Sequence, residues 1–140
     1  MKKKLFMLMG MAVALVSVSA WASNYNYISA ADVKQKVEKQ ENVLLLDIQV
    51  KEEFDQHHIS GALETYAYPV KSETDKGKLE AVLAQAKVST EPIVIICPRG
   101  GGGAKRTYDY LKGQGVAEAR LMILEGGQAK WPYKEMLAKD

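Results

Sequence analysis

The chain has 140 residues, 47% hydrophobic and 26% charged, with a formal net charge of +2 and a single cysteine. That length fits one compact domain, and so small a charge leaves no basic face for nucleic acid. One cysteine also excludes a disulfide framework.

The first segment, "MKKKLFMLMGMAVALVSVSAWAS", carries three lysines, an apolar run from Leu5 to Val18, and Ala20 and Ala22 around Trp21. This pattern predicts a secretory signal peptide over residues 1–22, cleaved after Ala22 or, with a poorer fit, after Ala20. The apolar run is shorter than the roughly 20 residues that span a bilayer. Cleavage removes Lys2, Lys3 and Lys4, so 19 basic residues become 16 against 17 acidic ones and the net charge moves to −1. The expected product is a soluble periplasmic protein of residues 23–140, free of the membrane. Cysteines in an oxidising compartment usually pair. The unpaired Cys97 is therefore either an inert buried hydrophobe or a reactive group.

Ser29 is placed to cap a helix over "AADVKQKVEKQ", with Val33 and Val37 on its buried face. "NVLLLDI", Asn42 to Ile48, is a continuous apolar run that predicts a strand covered on both sides. "VKEEFDQHH" reads as a short helix, and "ISGALETYAYPV" as a turn and a short extended segment. "DKGKLEAVLAQAKV" predicts one amphipathic helix through Leu79, Val82, Leu83 and Ala86. "PIVIIC" is a second buried strand, "AKRTYDYLKGQG" a helix stopped by Gly113 or Gly115, and "RLMIL" a last strand. "EGGQAKW" then leads into a C-terminal helix. Apolar strands separated by helices imply an α/β domain: a parallel sheet with helices on both faces. Such sheets bind ligands beyond the carboxyl ends of their strands, and Asp47, Cys97 and Gly126 fall there.

The segment "ICPRGGGGAKRT" carries the chemistry. Gly100, Gly101, Gly102 and Gly103 remove every Cβ between Arg99 and the helix expected near Ala104, so backbone N–H groups can face whatever occupies the centre. The helix start adds partial positive charge, and Arg99, Lys105 and Arg106 add full charges. The result is a nucleophile in an anion cradle. A phosphate-binding nucleotide loop would need glycine before Lys105 and Ser or Thr after it, but Ala104 and Arg106 stand there. A cysteine phosphatase or arsenate reductase would place arginine six residues beyond the cysteine, at the position of Gly103. An inert cysteine in a glycine-rich turn leaves the entropic cost of four glycines unexplained.

These segments together resemble rhodanese-like sulfurtransferase domains. "VLLLDIQVKEEFDQHHISGA" is similar to their first signature, "IVIICPRGGGGAKRTYDYLKGQGV" to their active-site segment, and "LMILEGGQAKW" to their closing Gly-Gly and Trp signature. The resemblance runs from Tyr25 to about Trp131. It implies a single domain with a central parallel sheet of about five strands, and a Cys97 that cycles through a persulfide, with the backbone amides of Arg99 to Ala104 around the transferred sulfur. A thiosulfate- or polysulfide-like anion would be the donor, and cyanide, a thiol or a partner protein the acceptor. No metal or organic cofactor is implied.

The chain also departs from the family. Where an arginine and then Ser or Thr are common there are Gly102 and Gly103, and the interval from Cys97 to Leu111 is one residue longer, which predicts a wider loop. Arg99, Lys105 or Arg106 would have to supply the missing cation. Gln49 replaces the arginine that often follows Asp47, which leaves Asp47 with no obvious cation. His57 and His58 lack further ligands at metal-binding spacing; His58 is the turn histidine of the resemblance, and Asp47 a strand-end hydrogen-bonding group. Two functions follow: an enzyme that turns over small sulfur compounds, or a module that holds sulfane sulfur or an anion for a partner.

Overall fold

The computed structural model describes residues 25–138; the predicted leader lies outside them. The elements run β1 (Tyr27–Ile28), α1 (Ala30–Glu38), β2 (Leu44–Asp47), α2 (Lys51–Gln56), β3 (Leu63–Glu64), α3 (Glu73–Gly77), α4 (Glu80–Lys87), β4 (Ile93–Ile96), α5 (Gly102–Gly113) and β5 (Leu121–Leu124). Three 3-10 turns, Glu118–Arg120, Gln128–Lys130 and Lys134–Met136, complete the order. No helix among the described residues is long and apolar enough to cross a membrane.

All five strands pair in parallel in the order β1-β5-β4-β2-β3. The three apolar strands of the sequence form its centre, with every residue of β2 and β4 buried. Pleating divides them between two cores. Leu44, Leu46, Ile93, Ile95, Leu121 and Ile123 meet α4 and α5 on one face, while Leu45, Val94, Ile96 and Leu124 meet Val33 of α1 and Trp131 on the other. Each such Leu or Ile contributes about 1.5–3 kcal/mol when taken out of water, so moving the central strands would cost many buried contacts. Their carboxyl ends make a firm floor for the loops that follow.

The helix ends follow local chemistry. Ser29 caps α1 by accepting the Asp32 N–H at 3.1 Å. Both glycines suspected of ending α5 are used: Gly113 is its last residue, and Gly115, at φ +98°, forms the left-handed turn. The Val116 N–H donates to Leu111 O and the Gly115 N–H to Lys112 O, which satisfies the last carbonyls.

Two expectations need correction. The single helix read over residues 75–88 is two. Ser72 and Asp75 form a reciprocal cap for α3, and the chain breaks at Lys78 and Leu79 before α4 begins. The C-terminal helix is replaced by 3-10 turns. Trp131 precedes Pro132, which disfavours helical backbone there, and its ψ is 116°; Leu137 then bridges to Ile59. α5 begins at Gly102, so Gly102 and Gly103 enter its first turn and only residues 98–101 separate Cys97 from the helix.

Candidate active site

Cys97 follows β4 directly and is buried, with its side chain in the core shared by α4 and α5. The tight turn after it brings the Gly100 N–H to 3.0 Å from Sγ, where it donates to the sulfur. Gly100 adopts φ +71°, a conformation for which glycine is suited. Beyond Gly101 the axis of α5 starts, and the first amides of a helix have no acceptor within it. A nucleophile at a strand end thus faces a backbone rich in free donors.

The turn is held from below by Gly126 and Gly127. A Cβ on Gly127, at φ +62°, would lie 2.3 Å from Cys97 O and 2.5 Å from Gly100 N. The N–H of Gln128 donates to Cys97 O at 2.8 Å and that of Ala129 to Pro98 O at 3.0 Å. The closing Gly-Gly pair is therefore the surface on which the cysteine turn rests, backbone against backbone.

The neighbouring strand end supplies a buried polar network. Asp47 is completely buried, and Gln49 donates to both its oxygens, backbone N–H to Oδ1 at 2.8 Å and Nε2 to Oδ2 at 3.1 Å. Nε2 also reaches His57 O at 3.0 Å. These neutral donors, from the residue that replaces the arginine of the resemblance, are what Asp47 has in place of a cation. Burial outweighs them and pushes the carboxyl up to about 6. His57 Nδ1 lies 2.8 Å from Gln128 Nε2, so the network runs from Asp47 through Gln49 and His57 to the residue that grips Cys97 O. Gln128 is itself buried, and its Oε1 has no partner among the described residues. Gln49, Glu53, His57, Arg99 and Gln128 line a cleft of about 210 Å3 on this side of the loop.

Of the three candidate cations, Arg106 reaches the first turn of α5. Its Nε donates to Pro69 O at 2.9 Å, and its Nη1 lies 2.8 Å from where a Cβ on Gly102 would stand. A guanidinium from the second turn of α5 thus fills the space beside Gly102. Lys105 is turned over the Tyr25 ring, and Arg99 faces the cleft beside His57. Gly103 packs under Tyr68, whose Cδ2 lies 2.8 Å from the point a Cβ on Gly103 would occupy, while Gly101 is open to solvent. Ala104 is fully buried. His58 stacks on Phe54 at 3.8 Å, with Nδ1 2.6 Å from Phe54 O.

Sequence reasoning missed Gln128 and His57 as supports of the site. The only signal for Gln128 was its place directly after the glycine pair. No metal-binding group of three His, Cys, Asp or Glu side chains occurs among the described residues.

A family profile for the rhodanese-like domain matches residues 29–133. No match was found among curated proteins. Among solved structures, a rhodanese-related protein from Thermoplasma volcanium is 19% identical, over 83% of this chain and 100% of that one, with a TM-score of 0.56. A rhodanese-like domain protein from Staphylococcus aureus is 20% identical, over 82% and 99%, with a TM-score of 0.57. The As-Sb reductase of Leishmania major is 16% identical, over 81% and 85%, with a TM-score of 0.60. At these identities the likeness is one of fold.

Proposed function

The chain belongs to the rhodanese-like domain family, and from that premise we propose that it transfers sulfane sulfur through a persulfide on Cys97. The observation that carries this reading is the Cys97 turn, with Sγ at the end of β4, accepting the Gly100 N–H, on a rigid backbone bed. The Cys97 thiolate attacks the terminal sulfur of a thiosulfate- or polysulfide-like donor. The donor's S–S bond breaks and its electron pair leaves with sulfite or the shortened polysulfide. The outer sulfur then passes to cyanide, a thiol or a partner protein, and Sγ regains its electron pair, so the cycle is two-step covalent catalysis. The chemistry calls for no metal or organic cofactor.

Arg106, Lys105 and Arg99, with the amides of Gly100 to Ala104, make the surroundings favourable for an anion; Asp47 and His58 hold the strand end and turn behind the site. The proposal includes export of residues 23–140 to the periplasm, which the leader pattern supports.

The test is to treat purified protein with thiosulfate and, separately, polysulfide, and weigh it. A persulfide adds about 32 Da to Cys97, removable by reductant. Absence of the adduct with both donors overturns the reading. An adduct that neither cyanide nor small thiols discharge over repeated cycles assigns the protein the carrier role instead.

A further inference from the structure

The cleft of about 210 Å3 beside the cysteine turn is lined by polar atoms that the sulfur chemistry does not use. At its base are two buried carboxamides, Gln49 at 4% exposure and Gln128 at 2%. Gln49 is fixed in orientation, because its Nε2 donates to Asp47 Oδ2 and to His57 O; its Oε1 makes no hydrogen bond among the described residues. Gln128 Nε2 meets His57 Nδ1, and its Oε1 is likewise unpartnered. A buried acceptor without a donor destabilises the fold until a donor reaches it. On the rim stands the exposed Glu53, with no cation within salt-bridge distance among the described residues. Two carbonyl oxygens and a carboxylate thus line one small space.

Size and chemistry narrow the occupant. The volume is below the roughly 300–1,000 Å3 of sites that enclose a whole small molecule, and it suits a single side chain. An alkylammonium carries three N–H donors and no acceptor, one donor for each of the three unpartnered groups. A divalent metal would want more than the single carboxylate that lines the cleft. Pro98 and Ala129 supply apolar surface against which an alkyl stem can lie. The rim has the opposite polarity. Arg99 and Gln56 are exposed there, and no carboxylate lies within salt-bridge distance of Arg99 among the described residues. Their N–H groups suit the main-chain carbonyls that flank a side chain in a polypeptide, which a free amine does not have.

We infer that this cleft docks a lysine side chain of a partner polypeptide, with the ammonium on Gln49 Oε1, Gln128 Oε1 and the Glu53 carboxylate, and the flanking carbonyls on Arg99 and Gln56. Pro98 and Arg99 belong to the turn after Cys97, so the partner is seated against that turn. Docking needs no sulfur on Cys97, and it goes beyond the transfer reading.

The experiment follows the side-chain amide signals of Gln49 and Gln128 by NMR, in purified protein with no sulfur donor present. The titrants are an acetylated and amidated Gly-Lys-Gly peptide, the same peptide with norleucine in place of lysine, and n-butylammonium. Norleucine keeps the stem and loses the ammonium. The lysine peptide is expected to shift both signals and to bind roughly tenfold more tightly than the norleucine peptide, and more tightly than n-butylammonium. Glu53→Gln should weaken the lysine peptide roughly fivefold, the worth of an exposed ion pair. Glu52→Gln, exposed one residue away and outside the cleft, should leave it unchanged. Equal binding of the lysine and norleucine peptides, equal effects of the two Glu variants, or shifts that spare Gln49 and Gln128 would each overturn the inference. Binding of n-butylammonium as tight as that of the lysine peptide overturns the polypeptide as occupant in favour of a free amine. None of these outcomes touches the persulfide reading, which the mass of Cys97 tests separately.

Discussion

Gln49 closes both oxygens of the buried Asp47, through its backbone N–H at 2.8 Å and its Nε2 at 3.1 Å. The carboxylate is held mainly by these dipoles, with a smaller contribution from the charge of His58, and its desolvation is only partly offset. In the folded chain Asp47 keeps its proton up to about pH 6, whereas an ordinary aspartate releases it near 3.8. Between those values the folded state binds more protons, so this group makes stability fall as pH rises. We expect Asp47→Asn to remove that slope. Chemical denaturation at pH 4 and pH 7.5 should show the wild type losing about 2–3 kcal/mol relative to the variant over the interval. Parallel curves for the two proteins would refute it.

Gly127→Ala should be among the most damaging single changes at the site. The new Cβ meets backbone at Cys97 O and Gly100 N, which cannot step aside, and φ is +62°. A loss of about 3 kcal/mol or more is expected, with sulfur loading lost in any folded fraction. At Gly126, φ +73°, the nearest atoms to a Cβ belong to the Lys130 side chain, Cδ at 2.6 Å and Cβ at 2.8 Å, and not to backbone, so Gly126→Ala should cost less, about 1–3 kcal/mol. Thermal melts of the two variants compare them directly; equal losses would contradict a backbone bed under the cysteine turn.

Gly102→Ala separates stability from function. Alanine in the first turn of α5 removes backbone entropy from the unfolded chain, for a gain of up to about 1 kcal/mol. Its Cβ would also stand 2.8 Å from Arg106 Nη1 and push the guanidinium away. The variant should melt at or above the wild-type temperature and yet load sulfur onto Cys97 from thiosulfate as slowly as Arg106→Ala does. A wild-type loading rate would show that the guanidinium's seat beside Gly102 has no part in recognising the anionic donor.

Cys97→Ser should abolish the persulfide adduct and leave the fold unchanged. The turn is set by the positive φ of Gly100 and by the bonds from Gln128 and Ala129, none of which needs sulfur. Circular dichroism should be unaltered and stability lowered by no more than about 1 kcal/mol. A collapsed spectrum would mean that the thiol itself shapes the loop.

His57→Ala tests the support beneath the turn. It removes a side-chain partner from a buried carboxamide whose Oε1 is already unpaired among the described residues. A cost of about 1–3 kcal/mol is expected, and Gln128→Leu in the same background should restore part of it. If the double variant is less stable than the single one, the network is not the reason.

Residue order alone was enough to specify the three central strands of the sheet. "LLLD", "IVII" and "LMIL" are continuous apolar runs that can only be buried on both faces, and the helices between them oblige the strands to run parallel. It also placed Cys97 and Asp47 at strand ends, since both follow from counting along a strand. β1 and β3, two residues each, carry no periodicity and exist because a neighbouring strand pairs with them. How the glycines are used was a matter of packing. Four in a row look alike in sequence, but the folded chain makes one a left-handed turn, one a cap and two the first turn of a helix. Packing also chose Arg106 from three nearby cations and Gln49 as the partner of Asp47, because side-chain direction depends on helix phase and on Pro69 O, a group 37 residues away. Local chemistry fixes what a residue can do; contacts between distant segments fix where it does it.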